Sequence, residues 1–285
     1  MKFLILGCNG MAGHMLALYF YEQGYDVTGF AREKSKFVDT VIGDARNLEL
    51  IKKTINGNNY DAVINCIGLL SHFAENNHEA AVFLNSYLPQ YLANVTANIE
   101  TQIIHLSTDC VFSGKRGGYK EYDFPDGMLF YDRSKALGEL NDGKNITFRS
   151  SIVGPDMSSD GIGLVNWFMQ QKGRVRGYKN AIWTGQTTLQ LAKTIENAVI
   201  QKIYGLYNMV PSKSISKYDM LLLFNKYLRE EPVEIIPESN FTVDKSLIRT
   251  NFKKFCYSIP DYEVQIKELG SWMQKHKKLY PHYQL

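Results

Sequence analysis

The chain has 285 residues, 45% of them hydrophobic and 21% charged, with a net charge of +3, so it can bury a sizeable core and has no signature of disorder. Its basic residues are scattered apart from the short run Lys275, His276, Lys277 and Lys278, which excludes an extended nucleic-acid stripe. No apolar run approaches the roughly 18 to 20 residues of a membrane span.

The first expected strand, residues 2–6, leads straight into a glycine turn and leaves no room for the apolar core of a signal peptide. "GCNGMAG" places Gly7, Gly10 and Gly13 three apart, with Met11 and Ala12 opening a helix over 11–23. In that strand, turn and helix setting the glycines predict a dinucleotide site. Gly7 permits the tight turn, Gly10 the approach of a diphosphate, and Gly13 close packing of helix on sheet. The phosphates would meet the free N–H groups of the helix N-terminus.

The second strand, 26–30, ends in "AREKSK", with Ala31 where an NAD-type acid would stand and Arg32 beside it. This favours NADPH over NADH, because an arginine there accommodates the extra phosphate. Further strands are expected at 39–42, 62–66, 102–107 and 146–150, with helices at 47–55, 78–97 and 130–141 between them. Pro89 should kink or split the helix at 78–97. Short apolar strands alternating with helices give an α/β fold, a Rossmann-type doubly wound parallel sheet over residues 1–150. Residues 151–285 are expected to form a smaller mixed α/β region that binds substrate and returns part of itself to the sheet. There "GLVNWFMQQ", "TTLQLAKTIENAVIQ", "SKYDMLLLFNKYL" and "EVQIKELGSWMQKH" read as helices and "GLYNMV" as a strand.

Four cysteines, Cys8, Cys66, Cys110 and Cys256, form no C-x-x-C pair. They predict packing residues in a reducing cytoplasm, with neither disulfide nor metal site. The strand at 102–107 ends in "HLSTD", bringing Ser107, Thr108 and Asp109 toward the carboxyl edge where such sheets collect ligands. Tyr131 and Lys135 follow, four apart and so on one helix face. An exposed amphipathic helix accounts for that spacing too. Beside a cofactor, however, an ammonium stabilises a phenolate, and the pair becomes an acid or base.

In order and spacing "GCNGMAG", "DAVINCIG", "LNSYLP", "HLSTDCVFSG", "YDRSK" and "FRSSIVGP" resemble the extended short-chain dehydrogenase/reductases, and within them the dTDP-4-dehydrorhamnose reductase family. The resemblance implies that Tyr131 donates a proton to a substrate carbonyl oxygen, and that Lys135 binds the nicotinamide ribose and lowers the tyrosine pKa. It makes Thr108 the hydroxyl on the reacting oxygen, with Ser107, Asp109 and Ser151 as substrate-side neighbours. Cys66, Ile67 and Gly68 would line the cofactor. Asp44 resembles the adenine-contacting acid, and a helix N-cap explains it equally. Asn85 is either a family asparagine beside the site or a buried amide bonding backbone, and Trp183 either stacks on the substrate or belongs to the core. The implied activity is reduction of the 4-keto group of a nucleotide-linked deoxysugar, in the supply of cell-surface polysaccharide precursors. The rivals are an epimerase that recycles its cofactor and a non-catalytic cofactor-binding subunit. Dehydration is disfavoured because no glutamate follows Asp109. The resemblance also allows a homodimer. Cys110 and Ile152 depart from the family's tyrosine and tryptophan, which leaves the sugar open.

Overall fold

A computed structural model describes residues 1–252 and 255–285. The first half runs β1 (Lys2–Leu6), α1 (Met11–Glu22), β2 (Asp26–Ala31), β3 (Asp39–Ile42), α2 (Leu48–Asn56) and β4 (Ala62–Asn65). It continues with α3 (Ser71–Asn76), α4 (His78–Ala81), a π-helical turn (Val82–Tyr87), α5 (Leu88–Val95), β5 (Gln102–Leu106), α6 (Phe130–Leu137) and β6 (Ile146–Arg149). These strands and one later strand form a seven-stranded sheet whose pairs are all parallel, ordered β3, β2, β1, β4, β5, β6 and then Gly205–Asn208. The order reverses between β1 and β4, so a crevice opens beyond their carboxyl ends.

Strand alternation sorts the core. Phe3 and Ile5 of β1 face one layer with Met15 and Leu16 of α1, while Leu4 and Leu6 face the other with Ile51, Ile55, Leu88 and Leu92. A parallel sheet covered on both faces needs such two-sided apolar strands.

The helix expected at 78–97 is divided as Pro89 requires. Pro89 lacks the N–H that the carbonyl of Asn85 would accept in an unbroken α-helix. The chain widens into the π turn just before it, with Pro89 in the first turn of α5. The Asn85 carbonyl is approached by the end of α6: a Cβ on Gly138 would lie 1.9 Å from its oxygen.

The second half runs β7 (Ser151–Val153), α7 (Leu164–Met169), β8 (Arg174–Trp183), β9 (Gly185–Thr187), α8 (Thr188–Ile200) and β10 (Gly205–Asn208). Then come β11 (Ile215–Ser216), α9 (Lys217–Tyr227), β12 (Glu234–Asp244) and α10 (Tyr262–Lys275). β10 joins the main sheet beside β6. β8 and β12, neither of them expected, pair in parallel, with β11 on the other side of β8. Both escape a search for continuous apolar runs. β8 alternates buried and exposed residues, as a one-faced strand does. β12 is an edge strand, mostly exposed, in which Pro237 is tolerated because one side needs no ladder bonds. No helix among the described residues is long and apolar enough to cross a membrane.

Candidate active site

The glycine turn is built as steric necessity dictates. Gly7 has φ +79°, and a Cβ on Gly13 would sit 2.0 Å from the Gly7 carbonyl oxygen, so α1 can lie this close to the turn only without one. Gly10 caps α1, and a Cβ there would meet only the Gly7 carbonyl oxygen, at 3.5 Å, leaving the backbone open to a ligand. Beside this turn lies a cavity of about 520 Å³ lined by Gly7, Gly10, Arg32, Asp44 and the segment Cys66–Leu69. Asp44 is not the helix cap: Asn47 caps α2 by accepting from Leu50 N at 3.1 Å. Asp44 instead folds its own loop by accepting from Arg46 N at 2.8 Å. Arg32 is exposed at the end of β2 on the same cavity.

Residues Cys66–Leu69 form the shared wall with a second cavity of about 380 Å³, so the two make one crevice across the carboxyl ends of β1 and β4. Met11, Ala12, Ser107, Thr108, Tyr131, Lys135 and Ser151 line the second cavity. Two elements hold α6 against it: Glu75 of α3 accepts from Tyr131 N at 2.9 Å, and Ser86 of the π turn donates to the Ser134 carbonyl at 2.7 Å. Asp132 closes the first turn of α6 itself by accepting from Leu129 N at 3.1 Å. Asn85 is the buried amide bonding backbone. It accepts from Leu69 N at 2.7 Å and donates to the Leu69 carbonyl at 3.0 Å and to Ser134 Oγ at 3.0 Å. It thereby ties the shared wall to α6.

Thr108 Oγ1 accepts from Cys110 N and donates to Asp109 Oδ1, both at 3.1 Å. Asp109 also accepts from Ser151 Oγ at 2.5 Å; it is 3% exposed and does not line the crevice. The expectation of Asp109 as a substrate contact is therefore corrected: its carboxylate orients the two hydroxyls that do line the cavity. Ser107 lines the cavity, but its hydroxyl donates to Glu139 Oε1 at 2.7 Å. Glu139 in turn pairs in two-pronged fashion with Arg149, at 2.7 and 2.6 Å. Ser107 thus gives its proton to a buried ion pair and turns only lone pairs to the cavity. Trp183 is a core residue, 5% exposed, with its ring 5.6 Å from Tyr262 and Lys217 Nζ 5.1 Å above its face. Of its two readings the core one holds, and it lies on neither cavity wall.

The electrostatics differ from the expected phenol made acidic by its lysine. Burial, with Cys110 adding to it, pushes the Tyr131 pKa well above the usual phenol range, while Thr108 acts the other way. Lys135 is 5% exposed and donates to the Leu106 carbonyl at 2.7 Å. Burial pushes its pKa down to about 8, against the opposing pull of Glu139 and Cys66. Residues four apart do share a face, but here the ammonium points to the end of β5, and the phenol is held protonated. Burial also raises the Cys66 and Cys110 thiols to about 12, which keeps both as thiols.

Sequence reasoning missed Glu75, Asn65, His105 and a pair of lysines. Lys217 and Lys245 both lie near Asp109 and Cys110. Burial lowers the Lys217 pKa, whereas at Lys245 burial is outweighed by Cys110, Asp132 and Asp109, so its pKa rises. Nothing local marks the lysines. A polar residue inside an otherwise apolar buried strand, as in "AVINC" and "QIIHLS", is a signal that could have found Asn65 and His105.

Residues 1–251 match the family described as the RmlD substrate binding domain. The chain belongs to this family. Among its relatives is a dTDP-4-dehydrorhamnose reductase of Aggregatibacter actinomycetemcomitans, 25% identical over 253 residues, which are 84% of this chain and 83% of that protein. Another is a probable low-salt glycan biosynthesis reductase of Haloferax volcanii, 33% identical over 139 residues; that match spans only 47% of this chain and 46% of the relative. The fold matches a dTDP-4-dehydrorhamnose reductase of Bacillus anthracis solved with NADP, with TM-score 0.79 at 21% identity over 94% of this chain and 98% of that one. The RmlD-family chain therefore shares its fold, the parallel central sheet included, with that structure.

Proposed function

We propose that this RmlD-family protein is an NADPH-dependent reductase of the 4-keto group of a nucleotide-linked deoxysugar, as its relatives' names suggest for them. In this reading residues 1–150 hold the cofactor, and residues 151–285 mainly shape the sugar side while lending β10 to the sheet. One observation carries the proposal: Thr108, Tyr131 and Lys135 stand on the wall of a cavity continuous with the glycine turn.

The crevice fits a dinucleotide. The bare backbone at Gly10 and the N-terminus of α1 suit a diphosphate. Arg32 and Asp44 would face the adenine ribose from the first cavity, with Arg32 favouring the 2′-phosphate of NADPH. A bound nicotinamide supplies the hydride. Met11, Ala12 and the Cys66–Gly68 backbone would hold its ring over the second cavity.

Tyr131 then acts as the acid. A phenol kept protonated by burial has its proton in place for the carbonyl oxygen as negative charge develops there. Thr108, whose one hydroxyl proton goes to Asp109 in the free protein, would turn that proton to the reacting oxygen. Lys135, on the same cavity wall, would bond the nicotinamide ribose. The sugar side is lined by Ser151 and Ile152.

The test is net consumption. NADPH absorbance should fall in proportion to added dTDP-4-dehydro-6-deoxyhexose, with a lower KM for NADPH than for NADH. Level absorbance while the sugar is converted would identify an epimerase and refute the reductase reading.

A further inference from the structure

We propose that Asn65 and His105 are positioning residues that present an N–H, and not a lone pair, to the amine of Lys135. Its charge is thereby disfavoured in the free protein and gained when acceptor oxygens of a ligand enter the cavity beside it. The inference deepens the reading of Lys135 as part of the reaction site and rests on it.

The argument is one of donors and acceptors. Asn65, the last residue of β4, is 1% exposed and accepts from Ile67 N at Oδ1, 3.1 Å away. That bond fixes which end of the amide is oxygen, so Nδ2 is the atom facing His105 Nδ1 at 3.3 Å. An amide N–H can only donate, and His105 Nδ1 must therefore carry the lone pair. His105 is fully buried, and burial together with the Lys135 charge holds its pKa well below the usual range, so the ring is neutral. Its single proton is then on Nε2, which lies 3.4 Å from Lys135 Nζ.

A neutral amine satisfies this arrangement. One of its N–H groups donates to the Leu106 carbonyl at 2.7 Å, and its lone pair receives the imidazole N–H. An ammonium has no lone pair, so donor would face donor in a buried setting where such mismatches are costly. The other titratable groups around Lys135 are the Cys66 thiol after β4 and Glu139 just past α6. Glu139 already accepts from Arg149 and Ser107, and the Cys66 thiol stays protonated. Further acceptors for an ammonium have to come from the cavity that Lys135 lines. The ribose hydroxyls or phosphate of a nucleotide have that chemistry.

The tautomer is directly measurable. In the full chain labelled with 15N-histidine, long-range 1H–15N spectra should show His105, assigned by comparison with His105→Gln, protonated at Nε2 and bare at Nδ1 near neutral pH. A proton on Nδ1 overturns the proposal without any variant having to fold. A 13Cε titration of Lys135 gives the second reading. Asn65→Asp keeps an acceptor for Ile67 N but replaces the amide donor, drawing the imidazole proton to Nδ1. The Lys135 midpoint should then rise by roughly one unit or more. His105→Phe, which adds no charge, should move it in the same direction. Unchanged midpoints in both variants would refute the coupling. These readings need no turnover, so they stand or fall separately from the cofactor-consumption assay.

Discussion

On the glycine side of the crevice the walls are largely backbone, kept open because Gly7, Gly10 and Gly13 have no side chains to fill the space. On the reaction side the walls are side chains, and each is held by another: Tyr131 N by Glu75, Thr108 by Asp109, Ser107 by Glu139, Lys135 by Leu106 and His105. The first kind of wall follows from steric rules acting over a few residues. The second is assembled from β4, β5, α3, α6 and β7, and its properties depend on burial. The two should therefore fail differently when altered.

The largest expected effect is on the reaction side. Tyr131→Phe should lower kcat by about 10² to 10⁴-fold, the usual worth of a general acid, while cofactor affinity measured by fluorescence titration stays nearly unchanged. Near-normal turnover would remove Tyr131 from the role of acid. Glu139→Ala comes next. Both members of the Glu139–Arg149 pair are almost fully buried, at 7% and 4% side-chain exposure. Stranding the guanidinium should destabilise the fold by about 3–5 kcal/mol, read by denaturant unfolding. A loss under 1 kcal/mol would mean that the pair is hydrated in solution.

A change on the glycine side should cost stability and cofactor binding together. Gly13→Ala places a methyl against the Gly7 carbonyl and should destabilise by about 1–3 kcal/mol, with weakened cofactor binding in the same titration. Unaltered affinity would separate the turn from the cofactor. The mildest perturbation is pH. Because Lys135 is pushed down to about 8, kcat/KM for the cofactor should fall as pH rises through that value, the ammonium being lost. Tyr131, raised by burial, keeps its proton throughout. The fall should approach tenfold per pH unit beyond the midpoint, and a profile flat to pH 9 would contradict it.

The same contrast explains what could be read from the sequence. The parallel sheet was legible because its strands are short, apolar and separated by helices. The glycine turn was legible because the spacing of three residues and its place after β1 encode a steric requirement. Tyr131 and Lys135 could be put on one helix face, but helical period says nothing of what Nζ bonds, and the lysine points to the end of β5. Ser107, Asp109 and Trp183 have residue types suited to a sugar site, yet each meets a partner distant in sequence, namely Glu139, Ser151 and Tyr262. β8 and β12 hide for another reason: a one-faced strand and an exposed edge strand lack the apolar runs that mark buried ones.

A crystal structure of the protein with NADP⁺ would test most directly whether the two cavities hold one dinucleotide with its reactive end at Tyr131. The account predicts the diphosphate over Gly10, the nicotinamide ring facing the Tyr131 hydroxyl across the Cys66–Leu69 wall, and Lys135 bonded to the adjoining ribose. A cofactor bound with its nicotinamide outside the cavity that Tyr131 and Lys135 line would contradict it.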